Sequence, residues 1–72
     1  MARARKAILV EVTPREHTIL ELLPRDLSYA QIGTRLDLSV NTVKMNLKSI
    51  YRKLAVTSRS EAVDAARSAG LP

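Results

Sequence analysis

Three sequence patterns typical of helix N-termini occur in this chain, and they constrain its fold more than any other feature of the sequence. In each of them a Ser or Thr precedes a Glu or Gln by three positions, the pattern of a capping box at a helix N-terminus. The pairs are Thr13 with Glu16, Ser28 with Gln31, and Ser58 with Glu61. The pattern predicts that a helix begins directly after the first residue of each pair.

A further helix is predicted between the second and third patterns, capped by Ser39. Apolar residues recur behind this cap at intervals of three or four, which places them on one side of a helix. They are Val43, Leu47, Ile50 and Leu54. We expect this helix to span about residues 40–54, and the shorter helix before it to turn Ala30, Ile32 and Leu36 inward. Four helices without a convincing strand predict an all-α fold.

A chain of 72 residues accommodates a single domain. We assign residues 1–11 to a basic flexible tail or linker and residues 12–72 to the domain. The tail begins like a signal peptide, but its apolar run, Ala7–Val10, is shorter than the about 7–15 residues that such a signal requires. It is far shorter than a membrane span. We therefore expect no membrane segment and a cytoplasmic location.

Few residues of this sequence suit catalysis or metal binding. Cys is absent, the only His is His17, and the only glycines are Gly33 and Gly70, so no glycine-rich phosphate loop exists. Trp and Phe are also absent, so a stacking platform for single-stranded nucleic acid would depend on two tyrosines. We expect no enzyme, and no catalytic residue, metal, cofactor or small-molecule ligand in this domain.

The positive charge of the chain is concentrated in one segment. The formal net charge is +5, and the segment from Leu38 to Ser60 has cations but no carboxylate. Its cations are Lys44, Lys48, Arg52, Lys53 and Arg59. Such a surface attracts a polyanion, since phosphate neutralisation supplies most of the affinity for nucleic acids. A solvated face without a partner is the alternative that charge alone leaves open.

The second and third helices, joined by a short turn, have the arrangement of a helix-turn-helix. At about 100° per residue, the side of the third helix opposite its apolar stripe carries Asn41, Met45, Lys48 and Arg52, and Lys44 lies on its flank. Amide, hydroxyl and cationic groups suit base edges and phosphates, and an exposed methionine suits a thymine methyl group. The pattern predicts a recognition helix in the major groove of double-stranded DNA.

The same residues resemble those of the LuxR-type (LuxR/FixJ/GerE-like) helix-turn-helix family. The matching segments are Thr13–Glu16, Leu22–Leu23, Leu27–Ser28, Gln31–Ile32, Ser39–Lys44, Ile50–Leu54, Val56 and Ser58–Val63. The resemblance implies a tri-helical core with a C-terminal dimerisation helix, acting as the output domain of a bacterial transcription regulator. RNA polymerase is a further candidate partner for such a regulator. Two corners depart from the family, because Asp26 and Ala55 stand where glycine is common, and we expect altered geometry there.

Residue by residue, the resemblance implies base contacts at Lys44, Met45 and Lys48. The helical projection selects Met45 and Lys48 independently. Phosphate contacts are expected around the N-termini of the second and third helices and along the basic side of the third. They are assigned to Ser28, Asn41, Thr42, Arg52 and Lys53.

The fourth helix has an unusually small face that includes Ala62, Ala65 and Ala69. The resemblance implies that two copies bind inverted half-sites through this helix, so these alanines are predicted to form a homodimer contact. Packing inside one copy of the domain is an equally open alternative for part of that face.

Two other functions compete with this interpretation. The promoter-reading domain of a sigma factor shares the helix-turn-helix, but the alanine-faced helix after it, Ser58–Gly70, disfavours that assignment. A helix-turn-helix remnant that mediates only protein association is the alternative from another class, and the basic third helix without carboxylates argues against it.

Overall fold

The computed structural model describes residues 11–70 of the chain. Within this range it forms four helices: α1 (Pro14–Leu22), α2 (Tyr29–Leu36), α3 (Val40–Leu54) and α4 (Arg59–Ser68). No strand occurs in the same range. The all-α prediction is confirmed, as are the order and approximate bounds of the helices. The tail assigned to residues 1–11 lies outside the described residues except for Glu11, and the boundary between tail and domain stays a prediction.

The first two predicted capping boxes are confirmed. At α1 the Thr13 hydroxyl accepts a hydrogen bond from the Glu16 N–H at 3.1 Å, and the Glu16 carboxylate accepts one from the Thr13 N–H at 2.9 Å. Ser28 and Gln31 make the same reciprocal pair at α2, at 3.1 and 2.8 Å. These bonds satisfy N–H groups that a helix N-terminus otherwise leaves without partners.

The start of α4 differs from the predicted capping box in one bond. The Ser58 hydroxyl accepts from the Glu61 N–H at 3.2 Å, as expected. The Glu61 carboxylate, however, accepts from the N–H of Thr57 at 3.1 Å and from its hydroxyl at 2.8 Å, rather than from the Ser58 N–H. These hydrogen bonds from Thr57 lower the pKa of Glu61. The carboxylate therefore stabilises the loop one residue before the position that the sequence pattern indicates.

α3 is the central element, because it packs against each of the other three helices. Its predicted stripe is confirmed, and the four residues are between 0% and 7% exposed. The stripe packs against buried residues from α1, from Leu23 directly after it, from α2 and from α4. These are Ile19, Leu20, Leu23, Ile32, Ala62, Ala65 and Ala66. With its inner side covered in this way, α3 has only its outward side and its flanks available to a ligand.

The inward face of α2 differs from the prediction at one position. Ile32 is buried and Leu36 half-buried, but Ala30 is exposed and Gly33 takes the buried place beside Ile32. A Cβ atom on Gly33 would lie 2.5 Å from the carbonyl oxygen of Leu38. The Leu38 N–H also donates to the Gly33 carbonyl at 2.7 Å. The glycine therefore lets the turn between α2 and α3 fold back onto α2, which sets how the two helices join.

The two corners for which altered geometry is expected, at Asp26 and Ala55, differ from each other. Ala55 ends α3 in the left-handed region with φ 57°, a conformation that costs a residue with a Cβ about 1–2 kcal/mol. Within residues 11–70, the residues with positive φ are Asp37, Ala55 and Gly70, so Asp26 avoids this conformation. At its corner the Leu27 N–H instead donates to the Arg25 carbonyl at 2.8 Å.

Candidate nucleic-acid interface

The outward side of α3 presents a compact set of polar and cationic groups. Asn41, Lys44, Lys48 and Arg52 are exposed there, on the side away from the buried stripe. Met45 lies among them with 72% of its surface exposed, the largest value for a large hydrophobic residue in the described range. Because it has no packing role in the domain, its exposure fits an apolar contact with a partner.

The predicted phosphate ligands near the helix N-termini lie at or beside capping residues: Ser28 caps α2, and Thr42 lies three residues after Ser39, the cap of α3. The Ser39 hydroxyl accepts from the Thr42 N–H at 3.1 Å and lies 2.9 Å from the Thr42 hydroxyl. Ser28 is exposed at the start of α2, where its hydroxyl accepts from the backbone. Each hydroxyl thus lies where the positive end of a helix dipole favours an anion.

Lys53 does not join this set, although the sequence places it among the phosphate contacts. Its ammonium nitrogen lies 2.7 Å from the Glu16 carboxylate, and the side chains are 22% and 5% exposed. Burial alone raises the pKa of Glu16, but hydrogen bonds from Lys53 and from the Thr13 N–H outweigh it and lower the pKa to about 2. The charge of Lys53 is therefore neutralised within the domain, and we leave this residue out of the DNA contacts proposed below.

Arg59 is the second cation of the basic segment that has an internal partner. Its guanidinium donates to the Leu23 carbonyl at 3.2 and 3.0 Å and to the Arg25 carbonyl at 3.0 Å. The same group lies over the Tyr29 ring, 5.4 Å from its centroid. Arg59 thus satisfies carbonyls at the end of α1 and joins them to the start of α2. Sequence reasoning missed this role, because the partners are backbone atoms more than thirty residues away.

The structure places the alanines assigned to a dimer contact inside the monomer. Ala62, Ala65 and Ala69 are 0%, 7% and 9% exposed. Their small side chains let α4 pack closely on α1 and α3, which is the intramolecular alternative that the sequence left open. As a dimer surface this set is therefore wrong, because a second copy cannot reach it.

The other side of α4 is open. A groove of about 390 Å³ lies between this helix and the end of α1. Ser60, Asp64 and Arg67 on its α4 side are exposed, and Val63 is half-buried between them. An apolar residue flanked by opposite charges is a suitable surface for a second copy of the chain.

Neither a metal-binding cluster nor a membrane-spanning helix occurs in residues 11–70. No cluster of three or more His, Asp or Glu residues in that part of the chain could hold a metal ion. No described helix is both long enough and apolar enough to cross a membrane.

Comparison with known proteins assigns these features to a family. The family described as bacterial regulatory proteins, luxR family, matches residues 10–66, which is more than half of the chain. The nitrate/nitrite response regulator protein NarL of Escherichia coli (strain K12) is 40% identical over 52 residues, which cover 72% of this chain and 24% of NarL. The HTH-type transcriptional regulator MalT of Yersinia pestis (strain Pestoides F) is 38% identical over 56 residues, 78% of this chain and 6% of MalT. The chain thus spans a quarter or less of these relatives. No solved structure gives a significant match.

Proposed function

The chain belongs to the luxR family of bacterial regulatory proteins, and we propose that it binds double-stranded DNA as the output domain of a transcription regulator, with α3 in the major groove. The outward side of α3 carries the proposal. Three exposed cations, an amide and an exposed methionine share this side, and the sequence from Leu38 to Ser60 contains no carboxylate to oppose them. A DNA-binding regulatory family is not an enzyme class, and no catalytic role is proposed.

The contacts are divided by their position along α3. Met45 and Lys48 project from the part of the helix that enters the groove deepest, so we assign them to base edges, with Lys44 reaching the groove wall from the flank. Arg52 lies about one turn beyond Lys48, where the helix leaves the groove, and is assigned to the backbone. The remaining phosphate contacts are assigned to the start of α2 and of α3. They are Ser28, Asn41 and Thr42.

Two copies are proposed to bind inverted half-sites through α4, using the open groove rather than the buried alanine face. In a two-fold interface each contact occurs twice, so Asp64 of one copy can pair with Arg67 of the other. A dimer of this kind that reads adjacent major grooves requires half-sites about 10 bp apart, or a multiple of this spacing. RNA polymerase is a proposed further partner of the complete regulator. Because a regulator of this kind acts on the bacterial chromosome, the proposed location is the cytoplasm.

A titration of duplex DNA at several salt concentrations tests this function. If each copy neutralises three or four phosphates, the log–log salt slope is about −3 per copy. The matched control is Arg15→Ala, which removes an exposed cation from α1 and leaves the slope unchanged. A slope near zero would overturn the electrostatic basis of the proposal. The absence of any duplex affinity would favour the rival role in protein association.

Operator selection from random duplexes with the same protein would then identify the preferred half-site. Convergence on an inverted repeat supports both sequence-specific binding and a two-fold dimer. Recovery of unrelated sequences would leave only non-specific binding.

A further inference from the structure

A shallow groove lies between α2 and the flank of α3, beside the proposed recognition surface. Its volume is about 290 Å³, and its lining consists of Tyr29, Lys44, Leu47, Lys48 and Tyr51. Tyr29 is the first residue of α2, and the other four lie on one flank of α3. The groove thus combines an apolar floor, two tyrosines and two exposed lysines.

The tyrosine hydroxyls form an incomplete pair. Their oxygen atoms are 3.4 Å apart, longer than the about 2.5–3.0 Å usual for a hydroxyl–hydroxyl hydrogen bond. Whichever hydroxyl donates to the other, the accepting hydroxyl keeps its own hydrogen. The pair therefore always retains one O–H that can donate to an external acceptor, and its internal bond is weak enough to rearrange.

The surroundings hold this donor in place. The Arg59 guanidinium covers one face of the Tyr29 ring, and its Nε and Nη2 groups donate to the Leu23 and Arg25 carbonyls, which fixes its position. Burial raises the pKa of Tyr51, and the hydrogen bond with Tyr29 raises it further. The Tyr51 hydroxyl therefore stays neutral near pH 7 and acts as a hydrogen-bond donor rather than as an anion.

We propose that Tyr29 and Tyr51 together form a binding site for one phosphodiester group of duplex DNA. One tyrosine O–H donates to a phosphate oxygen, and the ammonium groups of Lys44 and Lys48 supply positive potential at the mouth of the groove. An anionic oxygen is the acceptor that such a donor binds most strongly. The site rests on the proposed function, because Lys44 and Lys48 also border the surface assigned to the major groove.

The chemistry of the site distinguishes it from the cationic contacts. A neutral hydroxyl releases no condensed counterion, so its loss changes affinity without changing the salt slope. A backbone contact also has no direct base preference, so its loss weakens every duplex in parallel. Because either hydroxyl can donate alone, removing both should reduce the affinity for duplex DNA by more than the two single removals combined.

The test uses the whole 72-residue chain and the variants Tyr29→Phe, Tyr51→Phe and the double variant. The probe is a duplex carrying the selected half-site, titrated at several salt concentrations. We expect the double variant to bind about tenfold more weakly at every salt concentration, with an unchanged slope and a smaller loss in each single variant. Arg52→Ala is the contrasting control, since the loss of a cationic backbone contact should reduce the slope. Thermal unfolding of each variant checks that the fold is retained.

Methylphosphonate substitution of the duplex, one phosphate at a time, locates the contact. At one position the neutral linkage should weaken the wild-type protein but have no further effect on the double variant. Unchanged affinity of the double variant, or a loss confined to one base sequence, would overturn the site while leaving DNA binding intact. If the wild-type protein binds no duplex, the proposed function fails instead.

A measurement on the unmodified protein gives independent support or refutation. Tyr29 and Tyr51 are the only tyrosines in the sequence, and Trp is absent. Intrinsic tyrosine emission therefore reports on this groove alone, and we expect saturation with duplex DNA to change it. Emission that stays constant while the duplex binds would contradict a phosphate contact at the pair.

Discussion

The ammonium nitrogen of Lys53 lies 2.7 Å from the carboxylate of Glu16, which joins the end of α3 to the start of α1. Glu16 also closes the capping box of α1 through the Thr13 N–H. One buried carboxylate thus stabilises a helix N-terminus and a contact between two helices whose paired residues are 37 positions apart in the sequence.

The Glu16 carboxylate makes stability depend on pH. Its pKa is about 2 in the folded protein against an ordinary value of 4.5, so ionised Glu16 stabilises the fold above about pH 4.5, and this contribution is lost as pH falls toward 2. We expect a loss on the order of 3 kcal/mol across this window. Denaturant unfolding from pH 7 to pH 2 measures it. Glu16→Gln should flatten the dependence, whereas Glu21→Gln, at an exposed site on the same helix, should not.

Lys48 and Arg52 should affect DNA binding in different ways. Lys48→Ala is expected to cost roughly 1–3 kcal/mol on the selected operator and much less on mismatched duplexes. Arg52→Ala should weaken all duplexes equally and reduce the salt slope by roughly one unit. Competition against single-base variants of the operator measures both effects. The control is Lys53→Met, which should lower stability but leave the salt slope unchanged, because Lys53 is already paired with Glu16.

The opposite assignment of these two effects would contradict the proposed docking. If Lys48→Ala weakened all duplexes in parallel while Arg52→Ala changed the preferred base, the docking of α3 proposed above would be wrong by about one turn.

Ala65→Glu should unfold the domain rather than separate a dimer. Ala65 is 7% exposed and lies in the core cluster. A carboxylate there is buried without a partner, so it should lower the free energy of unfolding by more than about 3 kcal/mol. A domain of this size has little stability to lose. Circular dichroism at increasing temperature measures the effect. Ser68→Glu, at an exposed position of the same helix, is the matched control and should stay folded. A folded, DNA-binding Ala65→Glu variant would refute this packing.

The open face of α4 provides a separate test of dimerisation. Arg67→Asp should abolish cooperative occupancy of paired half-sites, because it places like charges opposite each other in the two-fold interface. Combining it with Asp64→Arg should restore cooperativity, since each pair then regains opposite charges. Gel-shift titration on single and paired half-sites separates cooperativity from intrinsic affinity. If cooperativity survives Arg67→Asp, the two copies meet elsewhere.

Gly33→Ala should destabilise the domain although alanine favours helices by about 1 kcal/mol over glycine. The added Cβ would lie 2.5 Å from the Leu38 carbonyl oxygen, a backbone atom that can move only if the turn opens. We expect a net loss of about 1–3 kcal/mol in denaturant unfolding. Ala55→Gly is the complementary change, and it should raise stability by about 1 kcal/mol because it removes the left-handed strain at φ 57°. Equal stability of Gly33→Ala and the wild type would show that the turn tolerates the methyl group.

The helices and the outward side of α3 could be predicted because their determinants are local. A capping residue and its partner are three positions apart, and the stripe from Val43 to Leu54 repeats within one helix. The two internal cation contacts, of Lys53 and Arg59, could not be predicted, because their partners lie between 34 and 37 positions away along the chain. The sequence shows each side chain as a cation but not which carboxylate or carbonyl lies beside it.

The alanine face of α4 shows a different limit of sequence reasoning. Small residues permit close packing whether the neighbouring surface belongs to the same chain or to a second copy. Only the placement of α4 against α1 and α3 distinguishes the two cases, and it buries Ala62 completely. For the same reason the spacing of alanines predicted a close contact but did not identify which of the two partners makes it.

The exposure of Met45 has a consequence for how proteins with this fold can diverge. With 72% of its surface exposed and no place in the core, the residue can be replaced by many others without a large change in folding stability. If it contacts a base as proposed, duplicated genes could acquire new operators through single substitutions at this position. Their products would keep the same scaffold, and natural selection could then act on target choice separately from the ability to fold.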